Sequence, residues 1–509
     1  MNLEDQLEYF FGYSTFQGRQ KEVVSSVLSG QDTLAVLPTG SGKSMCYLLP
    51  SQIKPGLTLV ISPLVSLMED QVMQLKAAGF KRTAHLSSLL DYNRKQELIN
   101  RVDQLDVLFL SPEMLQQKQL QDKLLSTAIG LFAVDEAHCI SQWGHEFRTD
   151  YLKIGDFINR LNNPVTLALT ATATEKVRED IIEQMGMNQP NRILSSVDRE
   201  TIFLEETEVE TDDDKKRGKL LSLLTHLSDP VIIYCGTRKH VDQISIFLKR
   251  NHFQAEAYHA GMTKEDRLLI QQQFYYDQIR IVCATNAFGM GINKSNIRHV
   301  IHYHIPSSIE QYIQEIGRAG RDGKQSTAHI IWNKEDLQLP LWMVESEFPN
   351  HAELDVIGEY IHKNKWKSLD LTMFKLTEKQ SDMIRFHLIK AEIIDEFNMI
   401  IFETDHKLVC SLETMQNHFN QRSAEKRTQA ASMGRLLLDE GCIRKRILAY
   451  FQEDNLNTPE VCCSRCGTEP AVDDFSVRNE VVLGQQFHKW ESVLRRKLLG
   501  PEVAHEETN

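Results

Sequence analysis

Lys43 and Ser44 close the run Pro38-Thr39-Gly40-Ser41-Gly42-Lys43-Ser44, which follows the strand-like Leu34-Ala35-Val36-Leu37 and precedes an apolar helix. Glycines in such a turn let successive backbone N–H groups face an anion. Thr39, Gly40, Ser41 and Gly42 then cradle phosphates, Lys43 neutralises the β- and γ-groups, and the Ser44 hydroxyl meets Mg²⁺. The first glycine of the general G-x-x-x-x-G-K-[ST] pattern falls at Leu37, so the match is partial and a plain glycine-rich turn would also fit. The second component is Asp135-Glu136-Ala137-His138, carried by the apolar Leu131-Phe132-Ala133-Val134. Ligands of open α/β sheets sit at the carboxyl ends of strands. Asp135 is therefore placed to hold Mg²⁺ through water and Glu136 to activate an attacking water. The third component is Arg318 and Arg321 in the glycine-rich run Gln314 to Gly323, suited to offset charge on a departing γ-phosphoryl group. As an isolated pair they would equally suit the surface of a helix start. Together the three runs predict nucleotide hydrolysis.

A fourth constellation is thiol chemistry. Cys442, Cys462, Cys463 and Cys466 supply four thiolates, enough for a closed tetrahedral Zn²⁺ site. The adjacency of Cys462 and Cys463 constrains the peptide between them, which leaves open that one is a bystander and that Cys410 or a histidine completes the site. The total of nine cysteines is odd and the others are scattered, a pattern of metal or thiol use in a reducing compartment, not of a disulfide framework.

Short apolar runs must position these groups. They recur at Thr33 to Val36, Leu59 to Ile61, Val107 to Leu110, Leu131 to Val134 and Thr166 to Leu169, between longer helix-like stretches. That rhythm predicts a parallel sheet wrapped by helices. The charged stretch from Glu205 to Lys219 lacks an apolar period and marks a boundary. A second set follows at Val231 to Cys235, Ala255 to Tyr258, Ile281 to Ala284, Val300 to Tyr303 and Ala328 to Trp332. The expected organisation is one α/β domain over 1–205, another over 206–338, a mainly helical region with the zinc module over 339–466, and a short tail over 467–509. Within the helical region, Glu396 to Val409 reads either as the hairpin of a winged-helix-like insertion or as a helical connector.

The net charge of −13 excludes a uniformly basic coat, so a polyanion must meet local patches. One such patch is Gln421 to Tyr450, where Arg422, Lys426, Arg427, Arg435, Arg444, Lys445 and Arg446 outnumber Glu425, Asp439 and Glu440. It suits either phosphate contacts or a solvated helix face. The acidic start of the chain does not read as a secretory leader and no run reaches membrane-spanning length, so the expected location is cytoplasmic, nucleoid-associated if bacterial, with no membrane partner.

From about Leu7 to Cys466 the sequence resembles the RecQ family of superfamily-2 DNA helicases. The resemblance is carried by Phe11-Gly12-Tyr13 with Phe16 and Gln20, Pro38 to Ser44, Ser62-Pro63-Leu64 with Ser66-Leu67-Met68, and Asp135 to Arg148. It continues through Leu169-Thr170-Ala171-Thr172-Ala173, Tyr258-His259-Ala260-Gly261, Ala284 to Lys294 and Gln314 to Gly323. It implies two tandem RecA-like P-loop domains followed by the zinc-binding module, and a motor that hydrolyses ATP, moves 3′ to 5′ along single-stranded DNA and unwinds duplex or branched DNA in recombination and repair. It further implies that Tyr13 stacks on adenine, that Gln20 reads the adenine edge, and that Gln17 and Gln314 belong to the nucleotide site. Gln17 departs from the Arg or Lys common in the family. His138, Trp143, Phe147 and Arg148 lie in the loop that, in the family, senses single-stranded DNA and couples it to hydrolysis; read bare, Trp143 and Phe147 could instead fill a core. Ser62 and Ser111 at strand ends resemble a DNA track. The tail is too short for the further domains that many members carry after the zinc module, which leaves it as a place for repair or replication proteins to dock. The alternatives are an RNA-directed superfamily-2 ATPase and a nucleic-acid-binding scaffold with little turnover.

Overall fold

The computed structural model describes residues 2–87, 90–141, 149–161, 164–227, 229–286, 288, 294–402, 404–453 and 459–467. Among them the strands build two wholly parallel sheets. The first contains β1 (Thr33–Val36), β2 (Leu57–Ile61), β3 (Thr83–Leu86), β4 (Val107–Leu110), β5 (Ile129–Val134), β6 (Val165–Thr170) and β7 (Asn191–Leu194) in the order 3-4-2-5-6-1-7. The second contains β8 (Ile202–Glu208), β9 (Val231–Tyr234), β10 (Ala255–Tyr258), β11 (Ile281–Ala284), β12 (His299–His302) and β13 (Ser326–Trp332) in the order 10-11-9-12-13-8. Helices cover both faces, which is why β1, β2, β4, β9 and β11 read as near-continuous apolar runs and are buried along their whole length.

Three strands escape the sequence pattern. β3, with its mixed Thr-Ala-His-Leu, and β7, mostly exposed, are the edges of the first sheet, where a full apolar run is not required. The third, β8, is the other departure from expectation: it pairs in parallel with β13 over seven residues, from Ile202 with Ser326 to Glu208 with Trp332. The expected boundary at 205/206 therefore falls inside a strand of the second sheet, and the sheets divide between Leu194 and Ile202. Only one end of β8 is buried, so its outer half carries glutamates and looks like a linker in sequence. The charged stretch after it is also ordered. Asp212 caps the helix Asp213–Thr225 by accepting from the Asp214 N–H at 2.8 Å, and Lys216, 2% exposed, pairs with Asp336 at 2.5 Å.

The helical region has its own core, formed by Phe348, Leu354, Ile357, Ile361, Met383, Ile384, Leu388, Met415 and Phe419 among others. Its order is the helix His351–Lys363, a single-residue bridge at Ser368, a short turn Leu371–Met373, the helix Glu378–Lys390, and a tight antiparallel turn closed by Ile394 with Ile400. Ser368 bridges Met399 on the far side of that turn. The stretch 396–409 is thus split: its start completes a miniature hairpin, and from Asp405 onward it is the 34-residue helix Asp405–Leu438. The last turns of that helix leave this core and join the core of the second sheet through Met433, Leu436 and Leu437. No helix among the described residues is long and apolar enough to cross a membrane.

Candidate functional site

The phosphate loop leaves β1, between β6 and the edge strand β7 of the first sheet, and Leu37 N–H donates to the Thr170 carbonyl at 3.0 Å to fix its start. Gly40 and Gly42 have φ of 86° and 68°, in the left-handed region. Space is tight at both as well. A Cβ on Gly42 would stand 2.6 Å from Gln20 Nε2, and one on Gly40 would stand 2.9 Å from Arg321 Cγ. Gln20 Nε2 donates to the carbonyls of Ser41 (2.7 Å) and Gly42 (3.0 Å), while its Oε1 accepts from Gln17 N–H at 2.9 Å. This amide braces the phosphate loop from behind, a role the sequence does not suggest. Tyr13, at 47% exposure, presents an open ring.

Asp135 and Glu136 stand where β5 ends, and the Asp135 carboxylate lies within electrostatic reach of Lys43. Asp135 N–H is held by the Ile61 carbonyl at 2.8 Å, and its Oδ1 accepts from Glu136 N–H at 3.0 Å. Burial, together with the neighbouring Glu136 charge, pushes the Asp135 carboxyl up to about 6, against the pull of Lys43. Asp135, buried, and Glu136, partly buried, offer carboxylate oxygens at the end of β5, and with the Ser44 hydroxyl of the phosphate loop they are oxygen donors of the kind that fit Mg²⁺. Glu136 adopts φ 49°, ψ 47°, a conformation costly for a residue with a Cβ and common where a catalytic group must be aimed. His138, buried, places Nδ1 3.0 Å from Thr170 Oγ1 and 3.4 Å from Glu136 Oε2. Thr170, which also donates to the Thr172 carbonyl, thereby ties His138 to the Leu169-to-Ala173 run. Trp143, Phe147 and Arg148 lie outside the described residues.

The second sheet brings its arginines to the same place. The helix Ile309–Ile316 buries Gln314 and Glu315, and Glu315 accepts from Gln311 (2.9 Å) and lies 2.8 Å from His302 Nε2. The turn that follows carries Arg318 and Arg321 and is closed by Arg298, which pairs with Asp322 at 2.5 Å. It is seated on the phosphate loop. Arg321 lies over Gly40, and a Cβ on Gly317 would stand 3.0 Å from Thr39 Cβ. Burial, with Arg318 and Arg199 alongside, pulls the Arg321 guanidinium below its ordinary range, while Glu136 across the cleft pulls the other way. Three crowded cations beside a phosphate cradle favour an incoming polyanion. Arg199 is a member of this cluster that no motif in the sequence marks.

The four clustered cysteines converge. Their Sγ atoms all lie within 4.8 Å of one another, with 3.6 Å between Cys442 and Cys462, 3.8 Å between Cys442 and Cys463, 3.3 Å between Cys463 and Cys466, and 3.6 Å between Cys462 and Cys466. A tetrahedron with Zn–S near 2.3 Å has edges of about 3.8 Å, so the set fits zinc with both adjacent cysteines included. Cys410 is elsewhere, exposed on the long helix against His406. The cysteine turn is fixed to the outer edge of β8, where Leu204 N–H donates to Cys462 O (3.2 Å) and Ser464 N–H to Leu204 O (2.9 Å).

The structure also places the two surfaces considered for nucleic-acid contact. In the basic run 421–450, three of the seven cations are paired with acids outside it, Lys426 with Glu347 (2.6 Å), Arg427 with Glu345 (3.0 Å) and Arg444 with Asp198, while Arg446 pairs with Asp439 inside the run. Counting charge along the run does not see the three outside partners, which lie 79 to 246 residues away. Ser62 and Ser111 are buried at the ends of β2 and β4 instead of lining an open track.

The DEAD/DEAH box helicase family matches residues 17–181, and the helicase conserved C-terminal domain matches residues 215–323. The Probable ATP-dependent DNA helicase RecS of Bacillus subtilis is 37% identical over 499 residues, which cover 97% of each chain. The ATP-dependent DNA helicase RecQ of Haemophilus influenzae is 38% identical over 375 residues, covering 72% of this chain and 60% of that one. Among solved structures, the Mycobacterium smegmatis helicase Lhr bound to ssDNA and AMP-PNP shares the fold with a TM-score of 0.56 at 16% identity, over 82% of this chain and 62% of that one.

Proposed function

The chain belongs to the RecQ family of ATP-dependent DNA helicases, and on that premise we propose that the cleft between its two sheets hydrolyses ATP to drive 3′-to-5′ movement on single-stranded DNA and the opening of duplex or branched DNA in recombination and repair. The observation that carries the proposal is Arg321 lying over Gly40, because it puts a cation from one domain on the phosphate cradle of the other.

In this reading the backbone of Thr39 to Gly42 and the Lys43 ammonium bind the phosphates, and Tyr13 stacks on the base while Gln17, Gln20 and Gln314 frame the pocket. Ser44 and Asp135 would hold Mg²⁺, which when bound supplies positive charge at the phosphate oxygens. Glu136 orients a water and takes its proton at a carboxylate oxygen as that water attacks the γ-phosphorus. Arg318 and Arg321 offset the charge that accumulates on the leaving oxygens. His138, linked to both Glu136 and Thr170, passes changes at the following loop to the acid pair. Trp143, Phe147 and Arg148 are the proposed DNA-sensing side chains of that loop. The four cysteines hold one Zn²⁺, and the tail, which from residue 468 lies outside the described residues, recruits repair or replication proteins.

Glu136→Gln tests the chemical step. The variant is expected to bind ATP normally and to lose turnover on the order of a hundredfold or more, the usual scale for a missing proton acceptor. Failure to bind nucleotide would instead make Glu136 a structural residue.

A further inference from the structure

Residues 195–201 form a strap between the two sheets, and one side chain on it touches both walls of the cleft. Arg199 Nη1 donates to the carbonyls of Thr39 (2.9 Å) and Gly317 (3.4 Å), and Nη2 donates to those of Ala319 (3.2 Å) and Gly320 (2.8 Å). Thr39 belongs to the phosphate cradle, and Gly317, Ala319 and Gly320 bracket Arg318. A guanidinium offers five N–H donors in a rigid planar fork, so it can hold two loops at a fixed separation. We propose that Arg199 is a positioning residue of the ATPase, setting the arginine turn against the phosphate loop.

An arginine that merely satisfied buried carbonyls would serve one loop. Arg199 serves two from opposite domains, at the contact where charge must be compensated. Its position is fixed in turn. Asp198 Oδ1 accepts from Arg199 N–H at 2.8 Å and from Arg444 Nη1, and Arg444 also donates to the carbonyls of Arg199 (3.1 Å), Ile202 (2.5 Å) and Cys462 (3.3 Å). On the same strap, Glu453 accepts from Val197 N–H (2.9 Å) and Ser196 Oγ (2.5 Å). Both clamps come from the module that carries the cysteine cluster. The strap is therefore held from behind by that module while Arg199 reaches forward into the cleft, giving the module a part in aligning the ATPase without touching nucleotide.

The inference rests on the ATP-site reading above, and the test separates the two. Arg199→Ala and Arg199→Lys are compared, as full chains, with the unmodified protein and with Lys43→Ala. The readouts are DNA-stimulated kcat, KM for ATP, affinity for a non-hydrolysable ATP analogue, and Tm, with activity measured well below each Tm. Both Arg199 variants are expected to lose kcat on the order of 10- to 100-fold, the scale of a displacement of about 1 Å in a reacting assembly. Analogue affinity is expected to stay within about threefold, since the groups that bind phosphate remain. Lysine keeps the charge but has one nitrogen, so it cannot span both loops, and its failure to restore kcat in a folded protein separates positioning from charge and from folding. If Arg199→Ala does not fold, the lysine variant decides the matter alone. Unchanged kcat in the folded variants, or full activity with lysine, would overturn the proposal. If Lys43→Ala also keeps turnover, the ATP-site reading itself falls; if Lys43→Ala is inactive while the Arg199 variants are fully active, only the positioning role falls.

Discussion

Arg321 of the second domain lies directly across Gly40 of the first, so close that a methyl group on Gly40 would stand 2.9 Å from Arg321 Cγ. Gly30 has the same φ of 86° but has nothing within 4 Å of its would-be Cβ. The pair separates backbone strain from cleft geometry. Both alanine variants are expected to lose about 1–2 kcal/mol of stability from the left-handed backbone. Gly40→Ala is expected in addition to lose most ATP turnover, whereas Gly30→Ala keeps it. Parallel Tm and ATPase measurements check this, and equal activity in the two variants would show that Arg321 is not seated on the loop during turnover.

Asp135 yields a pH dependence whose sign is opposite to that of a salt-bridged carboxylate. Its folded value of about 6 exceeds the ordinary 3.8, so the native state binds the extra proton between those values. In metal-free protein, stability from this group is fullest below 3.8 and falls as pH rises towards 6, then stays level. Asp135→Asn removes the cost, and near neutral pH the metal-free variant is expected to be more stable by roughly 1–3 kcal/mol, the advantage vanishing towards the acid end. Denaturant titrations across that range, without divalent cations, measure it.

The thiol geometry predicts about one zinc per chain on the four-ligand rule. Replacing Cys462 or Cys463 by serine is expected to remove the metal as fully as replacing Cys442 or Cys466, because all four sulfurs share one cluster. Loss of metal should loosen the β8 edge, to which the cysteine turn is hydrogen-bonded, before the first sheet. Metal analysis with hydrogen exchange at Leu204 and Ser464 tests both statements.

What could be read in the sequence was whatever had a local cause. The central strands are buried on both faces, and their apolar runs stand out; the phosphate loop and the acid pair sit at strand ends and follow from them. β8 was missed because half of it faces outward with glutamates, and the helix after Asp212 because its first turn is acidic for a capping reason, not a solvation one. The basic excess around Arg444 stays open between phosphate contacts and a solvated face in the sequence, because charge counting along a chain cannot see Asp198 or Glu347 across it. Arg199 had no local signature: a single arginine on a strap gains meaning only once two loops more than a hundred residues apart close on it.

In the proposed function this cleft is an ATPase governed by single-stranded DNA. ATP hydrolysis by the full chain, measured alone, with single-stranded DNA and with RNA of the same sequence, tests it most directly. Strong stimulation by DNA, little by RNA, and none in Lys43→Ala are expected. Stimulation by RNA alone, or DNA-stimulated turnover that survives the loss of Lys43, would contradict it.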